Sequence, residues 1–314
     1  MDVTISEVGP RDGLQSIERT MSTTLKVAWI RALAASGLRE IEVGSFVSPR
    51  LLPQMADCGD VVRALHSDTE NPPAFDILAL VPNLKGAEAA IAAGVTRVSV
   101  PISASETHSR RNINRTTDEA IAEFARICAH HREHGGVSEC TGVEAGISTA
   151  FGCTYEGVVD EDRVIDIAVK LAEAGAESVG LSDTTGYANP AQVKRLFTRL
   201  DAEIGERAGG AHFHNTRGQG LANVVAALEA GVRTFDSSQA GLGGCPYAPG
   251  ASGNIVTEDL VFLLEAMGLD TGIRMDALLA ARDVLREALP GEPLYGNVPD
   301  AGLPLGFRYA HEAA

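Results

Sequence analysis

The stretch SVGLSDTTGYANPAQVKRLFTRL, Ser178 to Leu200, holds one complete unit of the fold. Ser178–Ser182 reads as a short extended run that ends at Asp183-Thr184. Asn189-Pro190 then reads as a helix start. The Asn side chain can accept from free backbone amides, and Pro at the first helical position has no amide to lose. Val193, Phe197 and Leu200 mark one face of the helix that follows. The same unit recurs along the chain. Further strands are expected at Val3–Val8, Glu40–Gly44, Phe75–Val81, Arg97–Pro101, Thr141–Ile147, Ala211–His214 and Thr234–Ser237, which makes eight in all. Between them, Leu25, Trp29 and Leu33 repeat with helical spacing behind Ser22-Thr23-Thr24, and alanine-containing runs stop at Gly94 and Gly175. Strand-then-helix units argue for a parallel sheet. Alternation alone fits an open doubly wound sheet as well as a closed barrel. The count of eight and the length of 314 residues favour an α/β (β/α)8 TIM barrel, which typically needs about 250 residues. We assign residues 1–270 to the barrel, and 271–314 to a helical extension and tail packed on it, with a helix around Asp276–Leu289.

Composition narrows the function classes. The formal charge of −16 repels phosphate backbones and anionic lipid, which argues against nucleic-acid and membrane roles. No apolar stretch reaches the roughly 20 residues needed to span a bilayer, and the N-terminus lacks the pattern of a secretion signal. The cysteines at 58, 128, 140, 153 and 245 form no C-x-x-C pair. Reduced thiols in a cytoplasmic protein are the expectation, most of them small buried hydrophobes.

Barrel enzymes work at the C-terminal ends of their strands, so polar residues there are the candidates. Asp12 falls in the turn after the first strand, beside Arg11. Glu42 lies on the second, and Asp183 follows the sixth. His212-Phe213-His214 ends the seventh, and beyond the eighth come the loop Gly241 to Tyr247, with Cys245, and then Asn254. Residues i and i+2 of a strand share a face, so both imidazoles look into the lumen while Phe213 packs outward. A shared divalent metal explains such a pair; two hydrogen-bonded core histidines are the other reading. Asp12 and the Asn254 amide oxygen would complete a mixed nitrogen and oxygen donor set with open positions, which suits Mg²⁺ or Mn²⁺. Against that, Asp12-Gly13 is also an ordinary turn pair. Cys245 is either a proton donor on a glycine-rich loop or an incidental surface thiol. Arg110-Arg111 is the best cationic candidate for an anionic ligand, or else a surface charge pair.

Several motifs then act together. They include Glu7-Val8-Gly9-Pro10-Arg11-Asp12-Gly13-Leu14-Gln15, Ser45-Phe46-Val47-Ser48-Pro49, Pro82-Asn83-Leu84-Lys85-Gly86 and Asn112-Ile113-Asn114. Phe151-Gly152-Cys153 and the segment from Gly241 to Asn254 continue the series in the right order. Together they resemble the 3-hydroxy-3-methylglutaryl-CoA lyase family, within the wider group of metal-dependent lyase and synthase barrels. The resemblance implies a TIM barrel with a divalent cation, Mg²⁺ or Mn²⁺, held by Asp12, His212, His214 and Asn254. It implies that Arg11 steadies developing oxygen charge and that Cys245 is the catalytic thiol, with Glu42, Asp183, His212 and Glu258 as further site residues. The implied reaction is retro-Claisen cleavage of an acyl-CoA substrate, giving acetyl-CoA and acetoacetate from the parent compound, by a homodimer. Three positions depart from the family pattern: Asn215 stands for Asp, Arg217 for Tyr and Thr154 for Pro. They leave the acyl substituent open, with citramalyl-CoA as an alternative. A Claisen-condensing synthase and a non-catalytic metal- or CoA-binding barrel are the other readings.

Overall fold

In the computed structural model, which describes residues 1–70, 72–134, 140–243 and 253–312, the strand–helix alternation closes on itself. The strands are β1 (Thr4–Glu7), β2 (Glu40–Ser45), β3 (Asp76–Leu80), β4 (Arg97–Ser103), β5 (Gly142–Ser148), β6 (Val179–Asp183), β7 (Ala208–Phe213) and β8 (Thr234–Ser237). Each pairs with the next in sequence order, and β1 pairs in parallel with β8 from Thr4↔Thr234 to Glu7↔Ser237, which closes the barrel. The helices are α1 (Thr23–Ala35), α2 (Cys58–Ser67), α3 (Leu84–Ala93), α4 (Glu106–Ile113), α5 (Thr117–His134), α6 (Glu161–Ala174), α7 (Pro190–Ile204), α8 (Gly220–Glu229), α9 (Thr257–Ala266), α10 (Met275–Ala288) and α11 (Asn297–Ala301).

The local signals work as their chemistry requires. Asn189 accepts from the Gln192 amide at 3.1 Å and Pro190 opens α7. Gly94 and Gly175 end α3 and α6 in the left-handed region, with φ of 98° and 108°. The seventh strand differs from expectation, starting at Ala208 and ending at Phe213. The added residues include Gly209-Gly210, where other backbone approaches closely. A Cβ at Gly209 would sit 2.9 Å from the Val179 carbonyl carbon, and one at Gly210 would sit 3.0 Å from the Thr234 oxygen.

Ile41, Val43, Phe213 and Phe235 are fully buried between the strands and the helical shell. Phe213 lies 6.1 and 6.4 Å from the rings of Phe151 and Phe197, a spacing at which aromatic pairs add to simple area burial. The inner face is more polar. Ser6, Ser99, Ser182 and Asp236 line a cavity of about 1500 Å³ that reaches from the mouth into the lumen. Cys58, Cys128, Cys140 and Cys153 are free and buried. Helix α10 packs against α1 and α9. No helix among the described residues is long and apolar enough to cross a membrane.

Candidate active site

Strand β1 runs into a single π-helical turn, Gly9–Gly13, which brings Arg11 and Asp12 to the mouth of the barrel. The turn is fixed by the Asp12 amide donating to Val8 O at 2.7 Å. Asp12 is buried, and its two carboxylate oxygens divide their partners. Oδ1 accepts from Arg11 and from Gln15 Nε2 at 2.7 Å, and Oδ2 accepts from Asn254 Nδ2 at 2.7 Å. Burial pushes this carboxyl up, but Arg11 and the two nearby imidazoles outweigh it and hold the group below its usual range.

Asn254 stands beyond the glycine-rich loop yet reaches the mouth because its backbone bridges to His214. Gly243 makes this possible. Its φ is +109°, and a Cβ there would lie 2.5 Å from Asn254 Nδ2. Gly244 through Ser252, including Cys245, lie outside the described residues.

His212 ends the lumen face of β7, and His214 follows just past the strand. Their Nε2 atoms face one another at 3.1 Å. Two nitrogens that close need a proton or a cation between them, since facing lone pairs repel. On its far side, His212 Nδ1 lies 3.0 Å from Asp236 Oδ2. Burial lowers the His212 pKa, but its hydrogen bond and attraction to Asp236 lift it above the usual histidine value. His214 is pushed down to about 4, by burial first and then by His212.

Asp12, His212 and His214 each offer a ligand atom, and these atoms all lie within 4.8 Å of one another. Asn254 Nδ2 is spent on Asp12 and on Leu242 O at 3.2 Å, while its buried Oδ1 has no hydrogen-bond partner among the described residues. Buried polar atoms rarely go unpaired without a function. Two imidazoles, a carboxylate and an orphaned amide oxygen therefore fit a divalent metal, and the hard oxygen donors favour a cation that accepts mixed nitrogen and oxygen ligands.

The other candidates divide. Glu42 on β2 joins the cluster through Arg11, whose Nε donates to Glu42 Oε2 at 2.5 Å. Burial raises the Glu42 pKa against the pull of Arg11 and of the Ser99 hydroxyl, which donates at 2.6 Å. Asp183 sits at the end of β6 and accepts from the amides of Tyr187 and Ala188, which holds the following loop. Burial pushes its carboxyl up to about 6. Glu258 is not brought to the metal cluster. It sits fully buried on α9, paired with Arg282 of α10 at 2.5 Å, and accepts from the Ala240 amide. Of the arginine pair, Arg111 lines the cavity and stacks 4.4 Å from the Tyr155 ring, while Arg110 pairs with Glu106 at 3.0 Å. Sequence reasoning passed over Asp236, Ser99 and Gln15. For Asp236 and Ser99 a signal was available: each is a polar residue beside an apolar one on a strand of a barrel whose lumen holds the chemistry.

The chain is similar to known proteins along nearly its whole length. The family pattern described as HMGL-like matches residues 2–285. The hydroxymethylglutaryl-CoA lyase of Pseudomonas mevalonii is 43% identical over 310 residues, covering 99% of each chain. The (R)-citramalyl-CoA lyase of Chloroflexus aurantiacus is 42% identical over 309 residues, covering 96% of this chain and 95% of its own. The structure of an HMG-CoA lyase from A. baumannii in complex with coenzyme A and 3-methylmalate superposes with a TM-score of 0.88 at 38% identity, over 98% of this chain and 97% of that one. With that match running along nearly the whole barrel, the chain belongs to the HMGL-like family and is a carbon–carbon lyase.

Proposed function

We propose that the chain cleaves a 3-hydroxy-3-methylglutaryl-CoA-like thioester to acetyl-CoA and a keto product, acetoacetate for the parent substrate. The observation that carries this is the convergence of Asp12, His212 and His214, with Asn254 beside Asp12 and Arg11 paired to it. Asp12, His212, His214 and Asn254 would hold Mg²⁺ or Mn²⁺. Bound there, the dication would lower the pKa of the tertiary hydroxyl and polarise the forming ketone. Of the two candidate bases, Asp12 would take the hydroxyl proton, since His212 would have Nε2 on the ion and Nδ1 turned to Asp236. As the C2–C3 bond breaks, its electron pair passes to the thioester as an enolate. Arg11, held between Glu42 and Asp12, would stabilise the enolate oxygen. Cys245, matched by sequence to the family's thiol, would protonate the carbon and recover its proton from solvent. Glu42 would orient Arg11, Asp183 would hold its loop, and Glu258 would act at a distance through Ala240.

A mass-spectrometric screen tests this, with 3-hydroxy-3-methylglutaryl-CoA, citramalyl-CoA and longer branched 3-hydroxyglutaryl-CoA esters in Mg²⁺ or Mn²⁺. Acetyl-CoA release from the first ester is expected. Protein that binds Mn²⁺ yet releases acetyl-CoA from none of them refutes the proposal. The citramalyl-CoA reading is supported by the Chloroflexus relative, at an identity close to that of the Pseudomonas enzyme, and release from that ester alone would select it. A cytoplasmic homodimer belongs to the same reading by resemblance. Light scattering on the purified protein checks the dimer.

A further inference from the structure

Asp236 of β8 lies beside His212 of β7 in the parallel ladder, and both line the lumen cavity. The other ladder neighbour of His212 is Ser182 on β6. The Ser182 hydroxyl is 3.5 Å from Thr184 Oγ1. Asp236 Oδ2 sits 3.0 Å from His212 Nδ1, while the opposite ring nitrogen, Nε2, faces His214 at 3.1 Å.

A neutral imidazole carries one proton, and an ionised carboxylate only accepts hydrogen bonds. The proton of neutral His212 therefore belongs on Nδ1, where it donates to Asp236. Nε2 keeps its lone pair on the side of Asp12 and His214. With the proton on Nε2 instead, His212 could not serve as a ligand and would face its partner with an N–H. We propose that Asp236 is a positioning residue of the metal centre, fixing the ring of His212 and the Nδ1–H tautomer so that Nε2 is free for a dication. This rests on the reading of Asp12, His212 and His214 as metal ligands.

The surroundings set Asp236 apart from a merely structural carboxylate. Its bond to His212 is its one side-chain hydrogen bond among the described residues. Its side chain is 31% exposed within the lumen, where its charge also attracts Arg11. Its effect should therefore fall on the ring, with little on stability.

The test uses the full-length wild type, Asp236→Asn, Asp236→Ala and Asp236→Glu. Mn²⁺ binding is titrated by electron paramagnetic resonance, and the histidine ring nitrogens are read by ¹⁵N correlation spectra without metal. In the Asn and Ala variants Mn²⁺ affinity should fall about 10–100-fold, the usual effect of removing a carboxylate behind a ligating histidine. Melting temperatures should stay near the wild-type value, and Glu should recover part of the loss. In spectra recorded at a pH high enough to leave the ring neutral, His212 should show an unprotonated Nε2 in the wild type and a mixture of tautomers in the Asn variant. Unchanged Mn²⁺ affinity in both the Asn and Ala variants overturns this role alone, as does a neutral wild-type His212 that carries its proton on Nε2. A wild type that binds no Mn²⁺ overturns the metal reading, and this role with it.

Discussion

Replacing Arg11 with Met keeps a side chain of similar length and removes the charge nearest Asp12. Arg11 donates to Glu42 Oε2 through Nε at 2.5 Å and to Asp12 through Nη1, and its side chain is only 12% exposed. Such a guanidinium is already in place when enolate charge develops, so it need not reorganise during the reaction. Loss of one preorganised donor of this kind costs about 10²–10³ in kcat, or about 2.7–4 kcal/mol of barrier. The fold should survive. Breaking a buried pair costs about 3–5 kcal/mol, and Glu42, whose pKa burial already raises, can take up a proton in place of its lost partner. Asp12 keeps Gln15 and Asn254 as donors, so the metal should still bind. Acetyl-CoA release at saturating Mn²⁺ measures kcat, and spin resonance measures occupancy in the same samples. Arg11→Lys is the control, since one ammonium cannot reproduce the fork that spans Glu42 and Asp12. A kcat for Arg11→Met within about tenfold of wild type, equivalent to about 1.4 kcal/mol, with metal bound, would refute the assignment of enolate stabilisation to this residue.

Three other measurements probe different parts of the molecule. Arg282→Met strands the fully buried Glu258, so urea unfolding should show a loss of about 3–5 kcal/mol; a loss near zero would mean the pair contributes nothing. Burial pushes the Glu144 carboxyl up to about 7 despite Arg97, from an ordinary value of 4.5. The folded chain thus holds that proton more tightly than the unfolded chain. This contribution is complete below pH 4.5 and is lost as pH rises through about 7. Wild type should lose stability relative to Glu144→Gln across that window, and parallel curves of melting temperature against pH would contradict it. Mn²⁺ at a hundred times its Kd should stabilise the wild type by about 2.7 kcal/mol, and Asp12→Ala should lose that response; an equal response in the variant would place the ion elsewhere.

The barrel was legible because its signals are local. The Asn189-Pro190 start, the Gly94 and Gly175 stops and the outward face of Phe213 depend on a few neighbouring residues each, and they hold in the structure. The first residues of β7 lay outside the expected strand for the converse reason. Gly209-Gly210 is a breaker in isolation and is kept extended by neighbours on β6 and β8, far away in sequence. The same limit applied to the site. That His212 and His214 share a face follows from strand period alone. That Asp236 backs His212 depends on the register of β7 against β8, which no spacing in the chain encodes. The isolation of Glu258 depends on Arg282, contributed by a helix beyond the barrel strands.

The departures from the family pattern bear on which substrate fits more than on how the bond breaks. Asn215 follows His214, yet its side chain turns to the start of α8, accepting from the Gly220 amide at 3.0 Å, while its backbone N–H donates to Gly253 O. Arg217 donates to Thr185 O and Gly186 O and stacks 4.6 Å from the Tyr187 ring. Tyr187 in turn covers Gly152, where a Cβ would come within 2.7 Å of the ring. These residues tie together the loops after β5, β6 and β7, and the middle loop carries Thr184 on the cavity wall. Among the described residues, none of the side-chain hydrogen bonds of Asn215 and Arg217 goes to Asp12, His212, His214 or Asn254. A change at Asn215 or Arg217 therefore reaches the substrate through the placement of the mouth loops, while the proposed metal ligands keep their own partners. Selectivity among branched acyl-CoA esters can shift by this route with the carbon–carbon chemistry intact.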